Sequence, residues 1–251
     1  MFVRSLRSGE QYHRYLSVWT DVLSTLVSAI TATRRPFSFS LPLGVSDTRV
    51  FHWWNFDHPG QAGFRITPRY TARINLSRFA DESAPLGSFA RNRRRDILRW
   101  SAKPPVMVHG ADPGRIIELH EQGLKRTGGA MSGVGYPTLQ RILGLVESGA
   151  GSLIAVTPSD EDEIQAAIVV LDGPAESNFV LSVASDSWRD DGITPWITWQ
   201  AMLYARTMSK TWVDLNGANS PLRAAAKHFY GAEPQLYFDC SFGTIREGTP
   251  G

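Results

Sequence analysis

One cysteine, Cys240, stands among 251 residues, which excludes an internal disulfide and any metal centre built from several thiolates. Neither charge sign prevails. The 26 Lys and Arg face 24 Asp and Glu, too even a balance to imply a nucleic-acid partner by itself. Long apolar runs are lacking as well. The uncharged stretch 22–33, like every other in the chain, falls short of the roughly 20 residues that a spanning helix needs. Within it and before it, Trp19, Val22, Leu23, Leu26, Val27 and Ile30 recur with helical spacing, the mark of an amphipathic folded helix. A cleaved signal would explain Arg4 and Arg7 ahead of the run, but Glu10 and Asp21 interrupt it and no small-x-small site follows. The expectation is a cytoplasmic protein. With 42% apolar and 20% charged residues, the composition is that of an ordinary globule of one large domain or two modest ones.

Periodicity and punctuation predict a helix over 10–33, ended before Pro36. Strands follow over 37–41, 50–55 and 64–76. A helix over 86–100, a short strand over 106–109 and helices over 113–126 and 137–147 come next. The pattern then changes to three turn-linked strands, 152–156, 164–171 and 179–185. The middle one is apolar almost throughout, as a strand covered on both faces should be. A helix (193–209), a strand (211–215), a helix (220–229) and a strand (235–239) complete the order. This is an α/β, mixed-sheet (α+β) pattern rather than a strict βαβ repeat. The helix-then-strand of 10–42 also echoes that of 193–216.

Several residues suggest chemistry. The segment 188–195, Trp-Arg-Asp-Asp-Gly-Ile-Thr-Pro, joins a strand to a helix, and a helix N-terminus offers free N–H groups and a favourable dipole to an anion. Gly192 would let the backbone approach a phosphate, and Pro195 suits a first turn; an ordinary polar loop capped by Asp190, Asp191 or Thr194 reads equally well. Asp214 falls mid-strand in an apolar context, Asn216 and Asn219 stand at the strand exit, and Lys227 lies eight residues beyond Asn219. Arg93 shares the apolar stripe of Leu86, Phe89, Ala90, Ile97 and Trp100, so it must be paired or line a cleft, where it could grip an acceptor carboxylate or phosphate. Arg91, Arg94, Arg95 and Arg99 read as a solvated basic face. Trp53, Trp54, Phe56 and His58 form an aromatic cluster, expected on a strand that turns one tryptophan inward and leaves the other for a ligand. His109 and His120 lack a third partner at metal spacing, so no metal is expected.

Four passages carry a resemblance. They are Pro-Arg-Tyr-Thr-Ala-Arg-Ile-Asn-Leu (68–76), Phe-Ala-Arg-Asn-Arg-Arg-Arg-Asp-Ile (89–97), Trp-Val-Asp-Leu-Asn-Gly (212–217) and Ala-Lys-His-Phe-Tyr-Gly (226–231). With the order of elements, these resemble the GNAT acyltransferase superfamily, in its FemAB-like and BioF-associated acetyltransferase-like branch. The resemblance implies a partial, C-terminal-half GNAT-like domain over 1–80, a GNAT-like acyltransferase domain over 81–246 and a disordered tail over 247–251. Members usually carry two complete domains, so the chain is expected either to be a shortened member or to start further upstream.

The implied reaction is transfer of an acyl group from acetyl-CoA or another acyl-CoA to an amine of a sugar, amino acid or cell-envelope precursor. Arg189, Gly192, Ile193 and Thr194 would hold the donor pyrophosphate, with Thr194 replacing the family's final small residue. Val183, Ala184 and Ser185 would offer a backbone donor to the oxyanion, and Asn219 would assist donor binding. Lys227 would stabilise negative charge, with Ala226 where the family has Phe before it, and Asp186 and Asp214 are the candidate bases. Arg93, Trp54 and Tyr70 would meet the acceptor. Two alternatives follow from the same resemblance: an aminoacyl-tRNA-dependent transferase, whose support is the basic helix, and a catalytically inactive GNAT-like binding protein.

Overall fold

A computed structural model describes residues 9–32, 35–58, 60–79, 84–108, 112–129, 135–159 and 163–245. The elements in chain order are α1 (Gly9–Thr31), β1 (Phe37–Ser40), α2 (Arg49–Trp53), β2 (Ala62–Asn75), α3 (Ala84–Ser88), α4 (Arg91–Ala102), β3 (Val106–Val108), α5 (Pro113–Arg126), α6 (Gly135–Glu147), β4 (Gly151–Thr157), β5 (Ala166–Asp172), β6 (Glu176–Ala184), α7 (Asp186–Asp190), α8 (Ile193–Thr207), β7 (Trp212–Gly217), α9 (Pro221–His228) and β8 (Glu233–Ile245). The chain divides into two compact units, Met1–Tyr70 with Leu236–Gly251, and Thr71–Gln235. The sequence-based division falls at 80 and 246 instead; β2 and β8 are long strands that each supply residues to both units. Residues 247–251 and His109 lie outside the described residues.

In the first unit β1 pairs antiparallel with β8, Phe37 opposite Phe242 and Phe39 opposite Cys240. Phe51, Phe64 and Phe242 are buried, and their rings meet one another and those of Phe37 and Phe39 at centroid distances of 5.1–6.3 Å. α1 closes this core through Leu23 and Val27. Residues 50–55 are not the expected strand. Asp47 accepts the Arg49 N–H (3.2 Å), the N–H groups of Phe51 and His52 return to Thr48 O (3.1 Å each), and a helical turn results. That turn buries the adjacent Val50 and Phe51 together, which a strand facing one core cannot do.

In the second unit the strand order is β2-β7-β6-β5-β4-β3. β4, β5 and β6 form the antiparallel meander read from the sequence, and β6 and β7 run parallel. Both faces of the meander are covered. Ile168 and Val170 pack with Trp196, Ile197 and Met202 of α8 on one side, while Ala167 and Val169 pack with Ile116, Leu119, Leu139 and Leu143 of α5 and α6 on the other. α8 is apolar around much of its circumference, as a helix sunk in a core must be. The helix expected over 86–100 breaks at Phe89–Ala90. Ala90 is extended, its N–H bonds to Phe229 O (2.8 Å), and buried Phe89 meets Trp199 and Tyr230 edge-on. Tertiary packing there overrides the helical period. Among the described residues no helix is long and apolar enough to cross a membrane.

Candidate active-site cleft

The parallel pair β6–β7 sets the site. The strands pair from Glu176–Asn178 against Trp212–Asp214 and no further, although β6 continues to Ala184 and β7 to Gly217. A cavity of about 450 Å³ lies where they diverge. Its wall includes Ser182, Val183 and Ala184 of β6, His120 and Arg126 of α5, Arg189 of α7, Thr194 of α8 and Arg223 of α9. This is the size of a small-ligand site.

The ladder decides which amides face it. Ser185 N–H is committed to Gln165 O (2.8 Å), and β5–β6 pairing sets Val183 opposite Ala167 and Ala184 opposite Ala166. Hydrogen-bonded and non-bonded pairs alternate in an antiparallel ladder, so Val183 spends its amide on Ala167 while those of Ser182 and Ala184 point to the diverging edge. Of the three residues expected to offer an oxyanion donor, Ala184 alone retains its N–H for the cleft. Ser185 is not among the residues that line the cavity, and its hydroxyl is buried without a partner among the described residues.

Charge gathers at the same place. Arg126 and Arg189 both donate to Asp186, the former at 3.0 Å, and Arg189 also reaches Asp190 at 2.9 Å. Asp186, expected as a base, is therefore clamped between two guanidiniums. These carboxylates are largely solvent-exposed, and exposed ion pairs are weak enough to yield to a ligand phosphate. Arg223 has no carboxylate partner among the described residues, so its charge is uncompensated. Thr194 stands in the first turn of α8, which no side chain caps, so its N–H is among the helix's unspent donors. Gly192 does not open toward a ligand on its α-carbon side. It is left-handed (φ 70°), and a Cβ there would come within 2.9 Å of the Asp96 carboxyl and 3.3 Å of Arg99, so the glycine admits α4. Ile193 is fully buried. The turn is further fixed by Trp100, whose indole N–H bonds to Asp191 O (2.9 Å) and whose ring packs on Trp188.

At the end of β7, Lys227 donates to Asn216 O (2.7 Å) and to Gly217 O, leaving one of its three ammonium protons. It lies one turn beyond Arg223 on the same helix face. Burial, aided by Arg223 and opposed by Asp214, lowers its pKa to about 8. Asp214 is buried; its Oδ1 accepts from Thr71 Oγ1 and from Asn216 N–H (2.6 Å), which holds Asn216 at φ 70°. Burial raises its pKa. This carboxyl shapes the loop that Lys227 reads. Asn219, exposed, lies with its amide 3.3 Å from where a Cβ on Gly217 would be.

Arg93 has no ion pair among the described residues. Its guanidinium stands 5.7 Å from the Phe229 ring and 5.5 Å from that of Tyr230, and its Nε is buried without a partner. Trp54 and Tyr70 belong to the first unit, Trp54 packed on the phenylalanine core and Tyr70 exposed. The sequence reading passed over Arg126 and Arg223 and gave His120 no role at this site. Burial, opposed by Glu121, lowers the pKa of His120 below its ordinary value, which favours the neutral imidazole. The one signal for it was its place beside Leu119 on the inward edge of α5. No group of three metal-ligating side chains occurs among the described residues.

No protein-family model matches the chain, and no curated protein aligns with it. Solved structures do match. FemX superposes with a TM-score of 0.62 at 13% identity, over 87% of this chain and 76% of its own. L-PGS from Bacillus licheniformis gives 0.60 at 13%, over 91% and 74%. A tandem GNAT protein from the clavulanic acid biosynthesis pathway gives 0.50 at 11%, over 94% and 71%. The chain has a GNAT-type, FemAB-like fold.

Proposed function

We propose that the protein is an acyltransferase that moves an acyl group from an acyl-CoA, acetyl-CoA first among them, to the amine of a sugar, amino acid or cell-envelope precursor in the cytoplasm. The observation that carries this reading is the cleft itself: a free strand edge, a helix N-terminus and three arginines converge where two parallel strands part. Each suits one portion of such a donor. Arg223, Arg189 and the Thr194 N–H suit phosphate groups. The outward amides of Ser182 and Ala184 suit an extended amide-bearing chain, as strand addition does.

Acyl transfer to an amine requires a neutral nucleophile and a donor for the developing oxyanion. His120 serves as the base, because burial favours its unprotonated form. Ala184 N–H serves the oxyanion, and Lys227 stabilises negative charge through its remaining proton. The acceptor's amine attacks the acyl carbonyl, its proton passes to His120, and the thiolate departs as the carbonyl re-forms.

A second donor, aminoacyl-tRNA, is favoured by the four exposed arginines of α4, Arg91, Arg94, Arg95 and Arg99, in the same unit as the cleft. One experiment separates the readings: the full chain is incubated with radiolabelled acetyl-CoA or with charged tRNA and a panel of amines. Transfer from acetyl-CoA that is lost in Arg223→Ala supports the first. Transfer from tRNA alone, with affinity falling steeply with salt, supports the second. Donor binding without turnover on any amine supports the inactive alternative.

A further inference from the structure

The first unit contains another cavity, of about 330 Å³, which acyl transfer does not use. Ser24 of α1 forms part of its wall, and Trp53, Trp54, Phe56, Asp57 and His58 form most of the rest. Trp53 is 55% and Phe56 67% exposed, in a unit whose core already buries Phe51, Phe64 and Phe242. These two rings therefore contribute little to packing, and water is a costly neighbour for them.

The backbone that carries the rings is pinned by hydrogen bonds. Phe56 N–H bonds to Trp53 O (3.0 Å), His58 N–H to Asn55 O (3.1 Å) and Gln61 N–H to His58 O (3.1 Å), while Asn55, at φ 54°, donates its side-chain amide to Ala62 O (2.8 Å). Arg49, paired with Asp47 at 2.6 Å, sets its guanidinium 5.4 Å from the Trp53 ring centroid. The side chains of Ser24, Asp57 and His58 make no hydrogen bond with any described residue. Aromatic faces carried on a hydrogen-bonded turn thus border hydrogen-bonding groups that the protein itself does not use.

A ligand that satisfies both is apolar on a face and hydroxylated around its rim, which is the chemistry of a pyranose ring. A cationic ligand is disfavoured, because Arg49 already places a positive charge against Trp53. A nucleotide is disfavoured too, since Asp57 would repel its phosphate. We infer that this cavity is a binding site for a neutral saccharide, with Trp53 as the stacking platform.

The test is calorimetric titration of the full chain with a panel of neutral mono- and disaccharides, and with tetramethylammonium and adenosine monophosphate as contrasting probes. The expected result is saturable binding of at least one saccharide, weakened roughly tenfold by Trp53→Ala, reduced by Asp57→Ala and largely kept by Trp53→Tyr, with unchanged circular dichroism. Arg223→Ala should leave it intact, so this inference stands or falls apart from the acyl-transfer reading. Failure to bind any saccharide, equal affinity in Trp53→Ala, or binding of either contrasting probe in place of saccharides would overturn it.

Discussion

The interiors of the two units are built from different materials. That of the first is phenylalanine, leucine and valine around the buried, inert thiol of Cys240, whose pKa burial raises to about 11. That of the second admits charge: Asp214 and Asp96 are buried and Lys227 half-buried beside a cleft ringed with arginine. Buried charge costs stability unless it is paired or put to use, so on the proposed reading the first interior serves packing and the second also serves chemistry. Substitutions should separate the two.

The largest effect expected is on folding. Phe64→Ala removes a ring that touches four others and should cost about 3–5 kcal/mol of stability in denaturant titration. Lys227→Met should do the converse, lowering kcat/KM by roughly a hundredfold with little change in the unfolding midpoint. A collapse of folding in Lys227→Met would make this lysine structural and blur the contrast.

A pH profile sharpens it further. Because the folded pKa of Lys227 is near 8 and its ordinary value 10.5, folding favours loss of its proton. Stability should therefore rise with pH between these values and activity fall above about 8 as the ammonium is lost, two opposite slopes from one group. Lys227→Met should remove the stability slope. A rate that instead climbs through pH 8 would make Lys227 a base.

Asp214→Asn has a smaller expected effect. Both hydrogen bonds fall on one oxygen, which the amide retains. The carboxyl's raised pKa means that its contribution to stability is complete below its ordinary value near 4 and is lost as pH rises through the folded one. The variant should thus be as stable as the wild type or more so at pH 8, with activity within about threefold, well short of the hundredfold that loss of a general base costs. A hundredfold loss of kcat in a well-folded Asp214→Asn would restore Asp214 as the base.

What could be read beforehand follows the same division. α5, α8 and the β4–β6 meander were legible because each buries a regular stripe or run in the core of the second unit, so that period and burial agree. α2 was not, since Asp47 and Thr48 impose a turn on residues whose β-branched and aromatic character suggests a strand. The break at Ala90 was hidden as well, because its cause is a hydrogen bond to Phe229, far along the chain. Of the residues on the cavity wall, Arg189 and Thr194 lie on a strand-to-helix turn that the sequence marks, whereas Val183 and Ala184 were named only through the resemblance. Arg126 and Arg223 read as ordinary solvated helix positions until the divergence of β6 and β7 brings them together. Gly192 was legible as a special position, but what approaches it is Asp96.

The central claim is that the diverging strands hold the donor. Its most direct test is calorimetric titration of acetyl-CoA into the wild type and into Arg223→Ala, whose substitution on an exposed helix face leaves the fold undisturbed. The account predicts saturable binding to the wild type and affinity at least tenfold weaker in the variant. Equal affinity in the two would place the donor elsewhere, and no binding to either would contradict the acyl-CoA reading outright.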